Sequence, residues 1–141
     1  MNTQTLIKPA ILLVEDDEIL RITVYDALVK KGWAVTAVED GAEASGLIKK
    51  NDYDIVICDI RLPKKSGIEI LKEVKGVSPD AGVIMMTAFG TVEDAVEAMK
   101  RGAYDYITKP FSIEDLALRM EKILEHQLLK RDYQLLNAQT E

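Results

Sequence analysis

Three short runs of apolar residues stand out along the chain. They cover 10–14 (AILLV), 55–58 (IVIC) and 83–86 (VIMM). Apolar runs without alternation are typical of strands that are covered on both faces, as in a parallel sheet. Two weaker strands are predicted at 33–38 and 104–108, because these stretches are rich in aromatic and β-branched residues.

Helical patterns with a period of 3.6 residues lie between these strands. The clearest predicts a helix over 91–101, with Thr91 as N-cap and one apolar stripe that faces the core. That stripe consists of Val92, Ala95, Val96 and Met99. A last helix opens at Ser112, and Gly32 and Gly102 suit the residue after a helix end. The other helices are marked by Leu20, Val24, Ala27 and Leu28, by Ala44, Leu47 and Ile48, and by Leu71 and Val74.

The order strand–helix, repeated five times, predicts an α/β fold built from parallel βαβ units. Because an eight-fold barrel needs about 250 residues, the pattern favours an open doubly wound sheet. We expect the flavodoxin-like order 2-1-3-4-5 with five helices, the last one extended. The predicted organisation is an N-terminal tail over 1–9, one domain over 10–125, and a helical extension or linker over 126–141.

Composition narrows the function classes. The chain is 48% apolar and 30% charged, with a net charge of −6, which argues against direct nucleic-acid binding by this chain. No apolar run approaches the roughly 20 residues of a membrane span, and no signal peptide is visible. The single cysteine, Cys58, excludes a disulfide or cysteine cluster within the chain and favours a cytoplasmic location. We expect Cys58 to belong to the core.

Polar residues gather where the predicted strands end. Glu15 and Asp16 follow the first strand, Asp59 the third, Thr87 the fourth and Lys109 the fifth. In open α/β sheets, ligands bind beyond the carboxyl ends of the strands, so these side chains are expected to share one pocket. Carboxylates this close repel unless a cation intervenes, and Mg²⁺ prefers such hard oxygen ligands. With a hydroxyl and a lysine nearby, the set indicates a phosphoryl site in which a carboxylate is the nucleophile.

Each of these residues also has a structural explanation. The acids after the first strand, Asp17 included, could complement the dipole of the first helix. Asp59 could cap the loop before Pro63, and Lys-Pro is a common dipeptide. The occurrence of all of them at the ends of strands favours the functional interpretation.

At this point the sequence resembles the receiver domain of response regulators, from bacterial two-component systems. The matching stretches are ILLVEDDEILR, DIVICDIRLPKKSGIEILKEVK, VIMMTAFG and GAYDYITKPF. They cover residues 10 to 125, and their amino-acid sequence is most similar to that of the NtrC-like group. The ATPase and DNA-binding domains of that group have no counterpart, so the chain is either a single-domain regulator or a fragment.

The resemblance implies a role for each site residue. Asp59 is the phospho-acceptor, and Thr87 and Lys109 contact the phosphoryl oxygens. Mg²⁺ is bound by Asp16, by Glu15 through water, by Asp59 and by the backbone carbonyl of Arg61. Tyr106 is the switch aromatic that turns inward when Thr87 moves, although it could also be a simple edge-strand aromatic. A cis bond between Lys109 and Pro110 is implied as well.

The function we expect is signalling. A sensor histidine kinase phosphorylates Asp59, and the domain changes conformation to control an output or partner. The domain is not expected to be an enzyme, since it catalyses only its own phosphoryl transfer and dephosphorylation. The alternatives are an aspartate-nucleophile phosphatase, a flavin-binding protein of this architecture, and a degenerate receiver that only binds partners. The last helix carries Leu128, Leu129, Tyr133, Leu135 and Leu136 beyond the domain, so we expect a homodimer through it. A linker is the alternative.

Overall fold

A computed structural model describes residues 8–88 and 92–140 of the protein. Within them five strands alternate with five helices, as the apolar pattern predicts. The elements are β1 (Ala10–Val14), α1 (Glu18–Lys30), β2 (Ala34–Val38), α2 (Gly41–Lys50), β3 (Ile55–Asp59), α3 (Gly67–Val77), β4 (Gly82–Ala88), α4 (Val92–Lys100), β5 (Asp105–Lys109) and α5 (Ile113–Thr140). The predicted N-cap Thr91 and most of the N-terminal tail lie outside the described residues.

The five strands form one sheet in the order β2-β1-β3-β4-β5, and every pairing is parallel. The predicted fold class and strand order are therefore confirmed. Strand order reverses between β1 and β3. From β1 the chain continues to β2 on one side of the sheet, and from β3 it continues to β4 on the other side. This reversal places a crevice beyond the ends of β1 and β3.

Local signals set the ends of the helices. Side-chain oxygens of Asp17, Asp40 and Ser66 accept the backbone N–H three residues on, at the starts of α1, α2 and α3. Ser112 does the same for Asp115 at the start of α5, as expected. Gly32 and Gly102 follow the ends of α1 and α4 with φ of +98° and +102°. That conformation is easy only for glycine.

Two apolar cores cover the two faces of the sheet. On one face α2 and α3 pack over Leu12, Val56 and Cys58, and on the other α1 and α5 pack over Leu13 and Ile57. Successive residues of β1 and β3 alternate between the two cores, as strand geometry requires. Cys58 is fully buried, and burial raises the pKa of its thiol. It is a core residue, as expected.

The predicted apolar stripe of α4 is wrong in its orientation. Val92, Val96 and Met99 are exposed by 70%, 46% and 42%, whereas Ala95 and Ala98 are buried. The helix packs on the sheet through its small alanines, which permit a close approach, so the larger side chains are left facing outward.

The final helix α5 continues beyond the sheet and remains attached to it. The Gln127 side-chain amide donates to the carbonyl oxygens of Asp54 and Asp80, at 2.8 and 3.0 Å. Lys130 pairs with the Asp80 carboxylate at 2.6 Å. The helix therefore contacts the domain past the predicted boundary at residue 125, which itself stays a prediction. No helix in the described residues is long and apolar enough to cross a membrane.

Candidate functional site

Three acidic side chains meet at the carboxyl edge of the sheet. Glu15 follows β1 directly and is fully buried, Asp59 ends β3 with an exposure of 8%, and Asp16 is exposed. One carboxylate oxygen from each lies within 4.8 Å of the others. The structure thus brings together the three acids that the sequence placed in one pocket.

The ammonium group of Lys109 lies between two of these acids. It donates to Oε1 of Glu15 and to Oδ2 of Asp59, and its side chain is 19% exposed. Burial alone would lower the pKa of Lys109, but the hydrogen bonds that its ammonium donates to Asp59 and Glu15 outweigh this effect and raise the pKa. Lys109 is therefore held in its charged form and neutralises one of three carboxylates.

Burial raises the pKa of Glu15 above its ordinary value of 4.5, and the negative charge of Asp59 adds to the effect. The hydrogen bonds from Lys109 and from the backbone N–H of Asp17 oppose this shift without cancelling it. The pocket thus carries more negative charge than its one lysine balances. Such a set of hard oxygen ligands suits a divalent cation.

The loop after β1 is fixed by its own side chains. Asp17 caps α1 through the N–H of Leu20 at 3.1 Å, so the structural interpretation holds for this acid. The Arg21 guanidinium reaches back to the Glu15 carbonyl oxygen at 2.9 Å. Sequence patterns missed Arg21, although its position one turn into the helix is where a side chain can reach the preceding loop.

The loop after β3 closes on Asp59. The backbone N–H of Arg61 donates to Oδ1 of Asp59 at 2.9 Å, so Asp59 does also cap its loop. The Arg61 side chain is 79% exposed and approaches the Asp94 carboxylate at 3.9 Å. Gly67 packs so closely that a Cβ there would lie 2.2 Å from the Asp59 carbonyl oxygen. Only glycine fits at that position.

Thr87 lies on β4, the neighbour of β3, and Tyr106 lies on the edge strand β5. Thr87 is buried on β4, one residue beyond Met86, which pairs with Asp59. Its hydroxyl forms no hydrogen bond with other described residues. Tyr106 is 42% exposed on β5, so its ring faces away from the core. The bond between Lys109 and Pro110 is cis, as the resemblance implied.

Comparison with known proteins supports the same conclusion. The profile of the response regulator receiver domain family matches residues 11–121. The transcriptional regulatory protein ZraR of Escherichia coli is 40% identical over 117 residues, which are 82% of this chain and 26% of that protein. RprY of Bacteroides fragilis is 41% identical over 83% of this chain and 50% of its own length. The chain therefore spans only a quarter to a half of these relatives.

Solved structures show the same fold. NtrX from Brucella abortus superposes with a TM-score of 0.84 at 34% identity, covering 91% of this chain and 30% of that one. A receiver domain protein from Clostridium thermocellum has a TM-score of 0.81 at 30% identity, covering 86% and 98%. ZraR and NtrX are NtrC-like regulators, the group that the sequence most resembles. The protein belongs to the response regulator receiver domain family, the signal-receiving module of two-component systems.

Proposed function

We propose that Asp59 is the phospho-acceptor through which this receiver is controlled. The observation that carries this proposal is the placement of a nearly buried carboxylate at the end of β3, hydrogen-bonded to Lys109 and beside two further acids. A sensor histidine kinase is the donor, and the phosphorylated domain regulates transcription through an output or partner. A cytoplasmic location goes with this role, because the kinase takes its phosphoryl group from ATP.

The transfer step uses the Asp59 carboxylate as nucleophile. One of its oxygens forms a bond to phosphorus while the bond between phosphorus and the donor histidine nitrogen breaks. The electron pair of the broken bond returns to the imidazole, which takes a proton from water. The Lys109 ammonium and the Thr87 hydroxyl then bind phosphoryl oxygens, so their part is charge neutralisation and positioning. The domain transforms no substrate other than its own phosphoryl group.

The acidic pocket fits Mg²⁺, because three carboxylates offer hard oxygen ligands and one lysine leaves negative charge unbalanced. Asp16 and Asp59 would bind the ion directly, Glu15 through water, and Arg61 with its backbone carbonyl. The bound ion supplies neutralisation of charge on the transferred phosphoryl group. The Lys109 ammonium has three N–H donors and uses two of them for Glu15 and Asp59, so a third is available for a phosphoryl oxygen.

We propose that Thr87 and Tyr106 transmit the signal. Contact between the Thr87 hydroxyl and the phosphoryl group would favour an inward position for the Tyr106 ring, which lies outward in this structure. Thr87→Ala should still be phosphorylated but should lose the accompanying change at Tyr106. NMR chemical shifts of the phosphorylated variant would contradict this mechanism if they matched those of the wild type around Tyr106.

We propose that the extended α5 forms a homodimer. Apolar side chains past the sheet are 39–65% exposed: Leu128, Leu129, Tyr133, Leu135 and Leu136. Pairing with the same helix of a second copy would bury them. Light scattering should give a dimer for the full chain and a monomer for a chain ending at Glu125. Monomers in both cases, with and without phosphorylation, would leave the extension as a linker.

The phospho-acceptor is tested by labelling. Acetyl phosphate with Mg²⁺ should add one phosphoryl group to the wild type, seen by intact mass and lost in hydroxylamine. Asp59→Asn should take up none, and Asp52→Asn, an exposed acid outside the pocket, should be labelled like the wild type. Undiminished labelling of Asp59→Asn would refute the assignment.

A further inference from the structure

The loop between β3 and α3 is fixed at both ends by hydrogen bonds to Asp59 and its neighbour Ile60. Its start is fixed by the hydrogen bond from the Arg61 N–H to Oδ1 of Asp59. Its end is fixed by the Gly67 N–H, which donates to the Ile60 carbonyl oxygen at 2.9 Å. Between these points the chain has no regular structure, so contacts with neighbouring elements must determine its path.

The middle of this loop is strained. Lys64 has φ of +69°, in the left-handed region that residues other than glycine rarely adopt. The N–H of Lys65 donates to the carbonyl oxygen of Pro63, only two residues back, at 2.8 Å. A tight turn of this kind persists only where the surrounding structure holds it in place.

The holding contacts come from α2 and α3. The Lys65 ammonium donates to Oε1 of Glu73 at 3.0 Å and to Oγ of Ser45 at 3.1 Å. The Ser45 hydroxyl, on a residue with 5% exposure, donates to the same Glu73 oxygen at 2.6 Å. Lys64 pairs with the buried Asp40 at 3.4 Å.

The network around Glu73 is charged at neutral pH. Burial alone would raise the pKa of Glu73, but the hydrogen bonds from Ser45 and Lys65 and the nearby positive charges lower it. The Lys65 side chain is 32% exposed and that of Glu73 is 26% exposed. Part of the network is therefore screened from water, where a charge-assisted hydrogen bond is stronger than at an open surface.

We propose that Lys65, held by Ser45 and Glu73, is a positioning residue for the metal site. It fixes the loop that carries the Arg61 carbonyl, one of the expected Mg²⁺ ligands, at the correct distance from Asp59. Lys65 touches neither the metal nor the phosphoryl group, and it acts through the backbone of residues 61–66. The inference rests on the proposed function, because it concerns the same Mg²⁺ site.

The test compares full-length Lys65→Met and Glu73→Ala with the wild type. Removal of a group that orients a metal ligand typically lowers metal affinity by about 10- to 100-fold. Lys65 and Glu73 act one contact further from the metal, so their effect should lie near the lower end of this range. We expect the calorimetric dissociation constant for Mg²⁺ to rise about tenfold in both variants. The double variant should lose no more than the single ones, since both remove one shared contact.

A kinetic split separates positioning from general damage. The Mg²⁺ concentration for half-maximal labelling by acetyl phosphate should rise about tenfold, while the rate at saturating Mg²⁺ stays within about twofold. Lys65→Arg should restore most of the affinity. Glu69→Ala is the matched control, because its exposed carboxylate on α3 forms no hydrogen bond or ion pair with described residues.

The outcomes are distinguishable. If the wild type binds Mg²⁺ and is labelled but Lys65→Met does so with unchanged Mg²⁺ dependence, the positioning role is refuted. The same holds if the maximal rate falls without a shift in Mg²⁺ affinity. If the wild type itself is not labelled, the proposed function fails. If Glu73→Ala does not fold, Lys65→Met still tests the proposal. This lysine is partly exposed, and its replacement by methionine removes only the ammonium group.

Discussion

Replacing Lys109 with methionine tests the electrostatics of the pocket, since it keeps the apolar stem and removes the charge. Glu15 and Asp59, with exposures of 0% and 8%, then face each other without the ammonium that now joins them. Removing one partner of a buried ion pair generally costs about 3–5 kcal/mol of folding stability.

The structure limits this cost, because Glu15 can take up a proton. At pH 7, protonating an acid whose ordinary pKa is 4.5 costs about 3.4 kcal/mol, at about 1.4 kcal/mol per pH unit. We therefore expect Lys109→Met to lower the free energy of unfolding by about 2–3 kcal/mol at pH 7 without divalent cations. Loss of the lysine raises the folded-state pKa of Glu15 further. The penalty is thus present above pH 4.5 and disappears below it, and at pH 5 it is at most about 0.7 kcal/mol.

Urea unfolding followed through Trp33, the only tryptophan, measures this difference. Lys122→Met is the control, since that exposed lysine forms no hydrogen bond or ion pair with described residues. Saturating Mg²⁺ should narrow the gap between Lys109→Met and the wild type, because the ion replaces the missing positive charge and stabilises the state that binds it. A loss below about 0.5 kcal/mol at pH 7, or an equal loss at pH 5 and pH 7, would refute the reasoning.

Three further outcomes follow from the same geometry. Asp16→Ala should weaken Mg²⁺ binding at least about tenfold by calorimetry, and equal affinities would contradict the metal site. Gly67→Ala should lower the free energy of unfolding in urea by about 3 kcal/mol, because its Cβ would lie 2.2 Å from the Asp59 carbonyl oxygen. Gly46 has open space around an exposed helical position. Gly46→Ala should therefore raise the free energy of unfolding by about 0.5–1 kcal/mol. The stability that Glu73 contributes over Glu73→Gln should be present above pH 4.5 and lost as the pH falls through its lowered pKa; a difference independent of pH would count against a charged Glu73.

Much of this fold could be predicted because the sheet is parallel and covered on both faces. Strands such as β3 then begin with a continuous apolar run, here residues 55–58, and capping residues such as Ser66 mark helix starts. The orientation of α4 could not be predicted from periodicity. Its alanines and its larger apolar side chains lie on adjacent faces, and the approach distance to the sheet decides which face is buried.

Part of the candidate site could likewise be predicted from the sequence, and part could not. Glu15, Asp59 and Lys109 could be assigned to one pocket, because parallel strands bring their carboxyl ends to one edge. The network of Ser45, Lys65 and Glu73 depends on how α2 and α3 are rotated against each other and on the turn at Lys64. No spacing in the sequence encodes that rotation, so these residues emerge only from the three-dimensional structure.

The most direct test of the central claim is to locate the phosphoryl group on the chain. Reduction of an aspartyl phosphate with borohydride converts the aspartate to homoserine, which peptide mass spectrometry can place at a single residue. After treatment with acetyl phosphate and Mg²⁺, we predict homoserine at position 59 and at no other acidic residue. Homoserine at position 16, or none at position 59 in a protein that has gained phosphate, would contradict the assignment of Asp59 as the phospho-acceptor.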